Sequence, residues 1–181
     1  MLTSTVTLMW LLPVVFMIHE FEEIIMLRPW YLKNERYITA RFPRIAGSIA
    51  RTGKLSTSAF SLAVVEEFVA LSVVTLVCVE YGLYSVWAGF LIGFFIHLVY
   101  HVGSFLVMGR YVPYVITSVI AGVFSIYTLI VFKDGGYLAW SEVIIWSIVA
   151  IAFIIVNLMF AVVLAEKFDR WLGKWSSPRL D

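Results

Sequence analysis

Apolar residues run along this chain in long unbroken blocks. Five stretches, about 5–27, 57–79, 84–108, 112–132 and 140–165, are each long and mostly apolar. A helix needs roughly 20 such residues to cross the hydrocarbon core of a bilayer. The connections are short. Glu80–Leu83 and Gly109–Tyr111 leave room for little beyond a turn, so the second, third and fourth stretches should run antiparallel beside one another. Asp134-Gly135-Gly136, within 133–139, is a further turn signal. The first stretch lacks a basic leader and a small-residue cleavage site, so it is expected to stay as a helix and not to be removed as a signal peptide. The pattern predicts an all-α, polytopic membrane protein: one transmembrane domain over 1–181, a bundle of about five helices.

Two polar segments interrupt the pattern. Residues 28–56 hold Arg28, Lys33, Arg36, Arg41, Arg44, Arg51 and Lys54 against the single acid Glu35. Pro43 is a plausible start for a short helix lying in the headgroup layer, with Ile45 and Ile49 on one side. In the tail, 166–181, Phe168, Trp171, Leu172 and Trp175 recur at helical spacing with Lys167, Arg170 and Lys174 between them, the pattern of an interfacial anchor. With five alternating helices, the basic loop, the 109–111 turn and the tail share one side. That side holds all but Lys133 of the 13 Lys and Arg residues. The basic excess predicts a cytoplasmic C-terminus and an outside N-terminus, in the inner or plasma membrane if the cell is bacterial.

Composition agrees. Hydrophobic residues make up 62% and charged residues 14%, against about 25% charged in a soluble domain. Lipid is therefore the expected solvent and partner, and no nucleic-acid partner is expected. The one cysteine, Cys78, lies in an apolar run and cannot form an internal disulfide.

The first three stretches nevertheless carry His19, Glu20, Glu22, Glu23, Glu66, Glu67, His97 and His101, including all 3 histidines of the chain. An ionisable group costs roughly 2.5–3.5 kcal/mol at the centre of an inserting helix. No Lys or Arg lies in these stretches to balance the carboxylates. Shared protons or a cation must do so. His19, Glu22 and Glu23 are spaced i, i+3, i+4, and His97 and His101 are spaced i, i+4, so each set shares a helix face. Glu66 and Glu67 lie about 100° apart on theirs. Glu20 points elsewhere and is the weakest candidate. Counted from the basic ends, His19, the Glu66-Glu67 pair and His101 all fall about 13–15 Å deep. Gly89, Gly93, His97 and His101 lie along one stripe, and Gly-x-x-x-Gly permits close helix approach. The stripe that meets its neighbours would then carry the histidines. Three imidazoles and up to four carboxylates are enough ligands for two divalent ions. Ferritin-like di-iron bundles use Glu-x-x-His pairs, and His19 with Glu22 reverses that spacing. The donors suit Fe, Zn or Mn.

The string His19-Glu20-Phe21-Glu22-Glu23 resembles the signature of the HXXEE family of integral membrane proteins, whose residues here are His19, Glu22 and Glu23. The resemblance extends to Glu66-Glu67, His101, Arg110-Tyr111-Val112-Pro113 and Thr117, over roughly residues 12–125. It implies a membrane protein with a polar intramembrane site and implies no particular reaction. Two positions depart from the family pattern: His97 stands where Asn is common and Tyr114 where Gly is common.

The expected function is a membrane-embedded metalloenzyme acting on a hydrophobic or lipid-like small molecule. His19, Glu22, Glu23, Glu66, Glu67, His97 and His101 are the expected metal ligands, and Glu23 and Glu67 the expected catalytic acids or bases. Two Fe ions would suit oxidation of the substrate. Zn, which lowers the pKa of a bound water to about 7, would suit hydrolysis. Tyr31 and Tyr100 are candidate nearby phenols. The alternatives are a proton or divalent-cation transporter or channel using the same cluster, and an assembly subunit whose polar core fixes helix packing. No inverted repeat of the transporter kind is visible. A homo-oligomer stays open.

Overall fold

The computed structural model describes residues 2–177, and Arg179 of the basic tail lies outside them. Among the described residues the chain is all-helical: α1 (Leu2–Arg41), α2 (Ala46–Gly53), α3 (Thr57–Glu80), α4 (Tyr84–Met108), α5 (Val115–Asp134) and α6 (Trp140–Trp175). Four of these, α3 to α6, are long and apolar enough to cross a membrane. Their outward faces carry Val69, Val73, Ile120, Val123, Ile148 and Val156, all more than half exposed. Apolar surface of that extent needs lipid or a partner to cover it.

The helices close into a ring. α1 packs against α3 and α5, α6 packs against α3 and α4, and α5 packs against α4. The order around the ring is therefore α1, α3, α6, α4, α5. α3 and α4 do not simply lie side by side as their short turn suggests, because α6 packs against both. The glycine stripe explains part of this. A Cβ on Gly89 would stand 2.6 Å from the backbone carbonyl carbon of Trp146, and one on Gly93 would stand 2.6 Å from Ile154 Cδ1, both in α6. Residues four apart drift about 40° around a helix. Over three steps from Gly89 to His101 the stripe turns by about 120°. The glycines therefore meet α6, while the histidines look across the ring at α1. This corrects the expectation that one stripe does both.

Two other elements differ from expectation. The polar 28–56 segment does hold the short helix expected after Pro43, α2, but the residues before it are helix and not loop. α1 continues through Pro29 to Arg41, 40 residues in all, about 60 Å at 1.5 Å per residue. Tertiary contacts hold the extension. Trp30 Nε1 donates to the Tyr111 carbonyl at 2.6 Å and Tyr37 Oη to the Met108 carbonyl at 2.8 Å. Trp30, Tyr31 and Ile38 are buried with Met108 and Val112. Likewise α6 runs on to Trp175, its Ala161 and Ala165 buried against Leu55, Ala59 and Ala63. The tail aromatics stack in a row, Phe168 on Trp171 and Trp171 on Trp175.

Candidate functional site

The interior of the ring is apolar over most of its length. Met9, Leu12 and Phe16 of α1 meet Leu91, Phe94 and Leu98 of α4, and Trp87 stacks on Phe132 nearer the end that carries Lys133. One turn beyond Phe16, towards the basic end, this core gives way to a polar cluster. His19, Glu23, His97 and His101 each offer one ligand atom, and these four atoms lie within 4.8 Å of one another. His101 Nε2 stands 3.1 Å from Glu23 Oε1 and 2.6 Å from His97 Nε2. His19 Nε2 is 3.8 Å from the same Glu23 oxygen. His19 is fully buried, and Glu23 and His101 are nearly so. Phe94 covers the cluster on its apolar side, with its ring centre 6.0 Å from that of His19. Tyr114 covers it on the other side, 4.0 Å from the His101 ring.

The hydrogen bonds around His19 fix which nitrogen carries its proton. Thr117 Oγ1 donates its one proton to Glu22 Oε2 at 2.6 Å. It can then only accept from His19 Nδ1, 3.0 Å away. The proton of neutral His19 is on Nδ1, and Nε2 is left as a bare lone pair with no hydrogen-bond partner. Glu22 is held by three donors, the Thr117 hydroxyl, the Thr117 backbone N–H at 3.0 Å and the Tyr111 hydroxyl at 2.7 Å. Tyr111 lies outside the helices. Partial burial, then its bond to Glu22, push its phenol up to about 12, so it stays a donor at neutral pH.

At the centre one nitrogen, His101 Nε2, faces two other possible ligand atoms at once, His97 Nε2 and Glu23 Oε1. One proton on that nitrogen can serve only one of them, and His19 Nε2 supplies none. Buried lone pairs facing one another are costly unless something positive sits among them. Ligand atoms around one ion with bonds of about 2.1 Å lie at most about 4.2 Å apart. The observed spread exceeds that by roughly half an ångström, within reach of small side-chain rotations.

The other expected site residues fall outside this group of four. Glu22 is turned to Thr117 and Tyr111 and acts on His19 through Thr117. Glu66 faces α6, where Asn157 Nδ2 donates to its Oε2 at 3.1 Å. Glu67 lines a crevice beside His97 and lies close enough to Glu20 and Glu23 to interact electrostatically. Glu20, expected to point elsewhere, is only 4% exposed. Tyr31 bonds Glu35 at 3.0 Å, away from the cluster, whereas Tyr100, though 70% exposed, has its ring centre 5.9 Å from that of His101. Sequence reasoning assigned no role to Thr117, Tyr111, Tyr114 or Asn157. A lone Asn in the long apolar run of α6 is a signal that would have singled out Asn157, since polar side chains in such helices bond across to neighbours.

The pattern of a family described as "Protein of unknown function with HXXEE motif" matches residues 10–131. The chain belongs to the HXXEE family. No curated protein and no solved structure matches it. In this HXXEE chain the signature divides its work. His19 and Glu23 place a ligand atom each in the group of four, while Glu22 orients His19 through Thr117.

Proposed function

We propose that this HXXEE protein is a membrane-embedded metalloprotein whose His19, Glu23, His97 and His101 hold a divalent ion in the basic half of the bundle, and that it is an enzyme acting on a hydrophobic or lipid-like substrate. The convergence of four ligand atoms, one of them an imidazole nitrogen left bare by its own hydrogen bonds, is the observation that carries this reading. Three imidazoles and one carboxylate suit Zn, Fe or Mn. The bonds held by Glu22 and Glu66 favour one ion over two, since a second would have to draw on Glu20 and Glu67 alone. A bound ion would supply Lewis acidity or, for Fe, redox chemistry. In this reading Glu23 serves as a ligand, and Glu67, beside His97, as the base that moves protons to and from the substrate.

The transporter reading draws on the acids Glu20, Glu23 and Glu67, which lie near one another. The packed aromatic layers of Phe16, Phe94, Trp87 and Phe132 argue against it, because they give an ion no polar route to the far side. We further propose that the first half of α1 is a fifth crossing and that the basic end faces the cytoplasm. Cysteines placed at the exposed Ser48 and Ser176 should then escape an impermeant thiol reagent added outside intact cells; labelling of both would reverse the orientation.

Metal analysis of protein purified without chelator tests the function. About one divalent ion per chain is expected. A metal-free protein with a pH-dependent conductance in liposomes would replace this reading with the transporter.

A further inference from the structure

Beside the cluster lies a crevice with about 80 Å³ of free volume. A single water needs only about 10–15 Å³ measured in this way, so the space exceeds a packing defect. Its walls are apolar, with Phe90 of α4 packed edge-on against Phe153 of α6, their ring centres 5.6 Å apart, and with Leu71 and Leu158 beside them. Phe153 and Leu158 are both more than 40% exposed on the outer face of α6, so the crevice opens towards lipid. Glu67, Asn157 and His97 are its polar lining residues. His97 also belongs to the group of four ligand atoms.

We propose that this crevice binds one linear hydrocarbon chain bearing an uncharged hydroxyl head, with the tail against Phe90, Phe153 and Leu158 and the head at Glu67, Asn157 and His97. Apolar cavities take up apolar molecules, and hydrocarbon chains are the solute at hand inside a bilayer. The head group is chosen by charge. No Lys or Arg lines the crevice, so a carboxylate or phosphate would meet Glu67 with no cationic side chain beside it. A hydroxyl can donate to the Glu67 carboxylate and accept from the Asn157 amide. The same absence of cations disfavours a phospholipid. Binding of the chain stands by itself; that the head lies at a metal centre rests on the function proposed above.

The test uses full-length protein in nanodiscs and a hexadecanol carrying a photoreactive diazirine. Labelling is expected at Leu71, Phe90, Phe153 or Leu158, saturating at one per chain and displaced by plain hexadecanol. A diazirine-bearing phosphatidylcholine should label only outward residues, without saturation. Ala70, which also lines the crevice, offers a way to fill it. Ala70→Phe should abolish the saturable labelling while metal content is unchanged, and Ala70→Leu serves if the larger residue prevents folding. Asn157→Leu should weaken hexadecanol about tenfold, the worth of one buried hydrogen bond. Labelling that never saturates, or equal saturation by the phosphatidylcholine probe, would overturn the proposal. Saturable binding by a protein that holds no metal would leave it standing and remove the metal centre instead.

Discussion

Charged groups sit in two regions of this molecule and are treated in opposite ways. At the basic end, charges that join one helix to another have partners in the chain. Arg51 bonds Glu166 through two nitrogens, Lys54 Nζ stands 2.7 Å from Glu35, and the Ser56 hydroxyl donates to Asp169. Glu35 is held below the usual carboxylate range, chiefly by Lys54, and Lys54 is raised in turn by Glu35. These groups are accessible to water, which screens them, so such pairs contribute little to stability. In the buried cluster the reverse holds. Carboxylates and imidazoles are packed together with no Lys or Arg, and the central ligand atoms face one another. Charges that find partners within the chain tie α1 and α6 to α2 and α3. The His/Glu donors left without them are the group that, in the function proposed above, holds a metal ion.

The largest effects should follow from removing a central donor. His101→Ala and Glu23→Gln, made singly, should each lower metal affinity by more than the roughly 100-fold that an outer partner can contribute. Measured with a competing chelator, equal affinity in Glu23→Gln and the parent would reduce the cluster to a hydrogen-bonded core, since Gln keeps the shape and the bonds. Thr117→Val comes next. It frees the His19 ring to choose its tautomer and strips Glu22 of one of its two hydroxyl donors, and such outer-shell losses weaken metal binding by about 10–100-fold. Tyr111→Phe should be milder in the same assay, because Glu22 keeps both donors from Thr117. A Tyr111 variant weaker than the Thr117 variant would break the proposed chain from Glu22 through Thr117 to His19. The smallest change belongs to the basic end. Lys54→Met should leave metal affinity unchanged and barely move the unfolding midpoint, because the pair with Glu35 is screened by water. Metal loss in that variant would erase the distinction between the two regions.

The helices were legible in the sequence because lipid sets their length. The stretches expected over 57–79 and 84–108 run Thr57–Glu80 and Tyr84–Met108. The helix past Pro29 was not, because Trp30 and Tyr37 are held there by the turn after α4, a contact that local pattern cannot contain. Spacing placed His19 with Glu23 and His97 with His101, since i and i+4 share a face whatever the tertiary packing. It could not separate Glu22 from Glu23, which diverge because Thr117 arrives from α5 on one side only. It also could not rank Glu66 against Glu67, whose surroundings depend on α6 passing between α3 and α4. His97, where the family commonly has Asn, stands among the four ligand atoms.

X-ray absorption at the edge of the bound metal tests the central claim most directly. The account predicts a first shell of nitrogen and oxygen only at about 2.0–2.2 Å, with the outer scattering of about three imidazoles. One imidazole should be lost in His97→Ala. A first shell of oxygen alone, or an imidazole count that His97→Ala does not change, would contradict it.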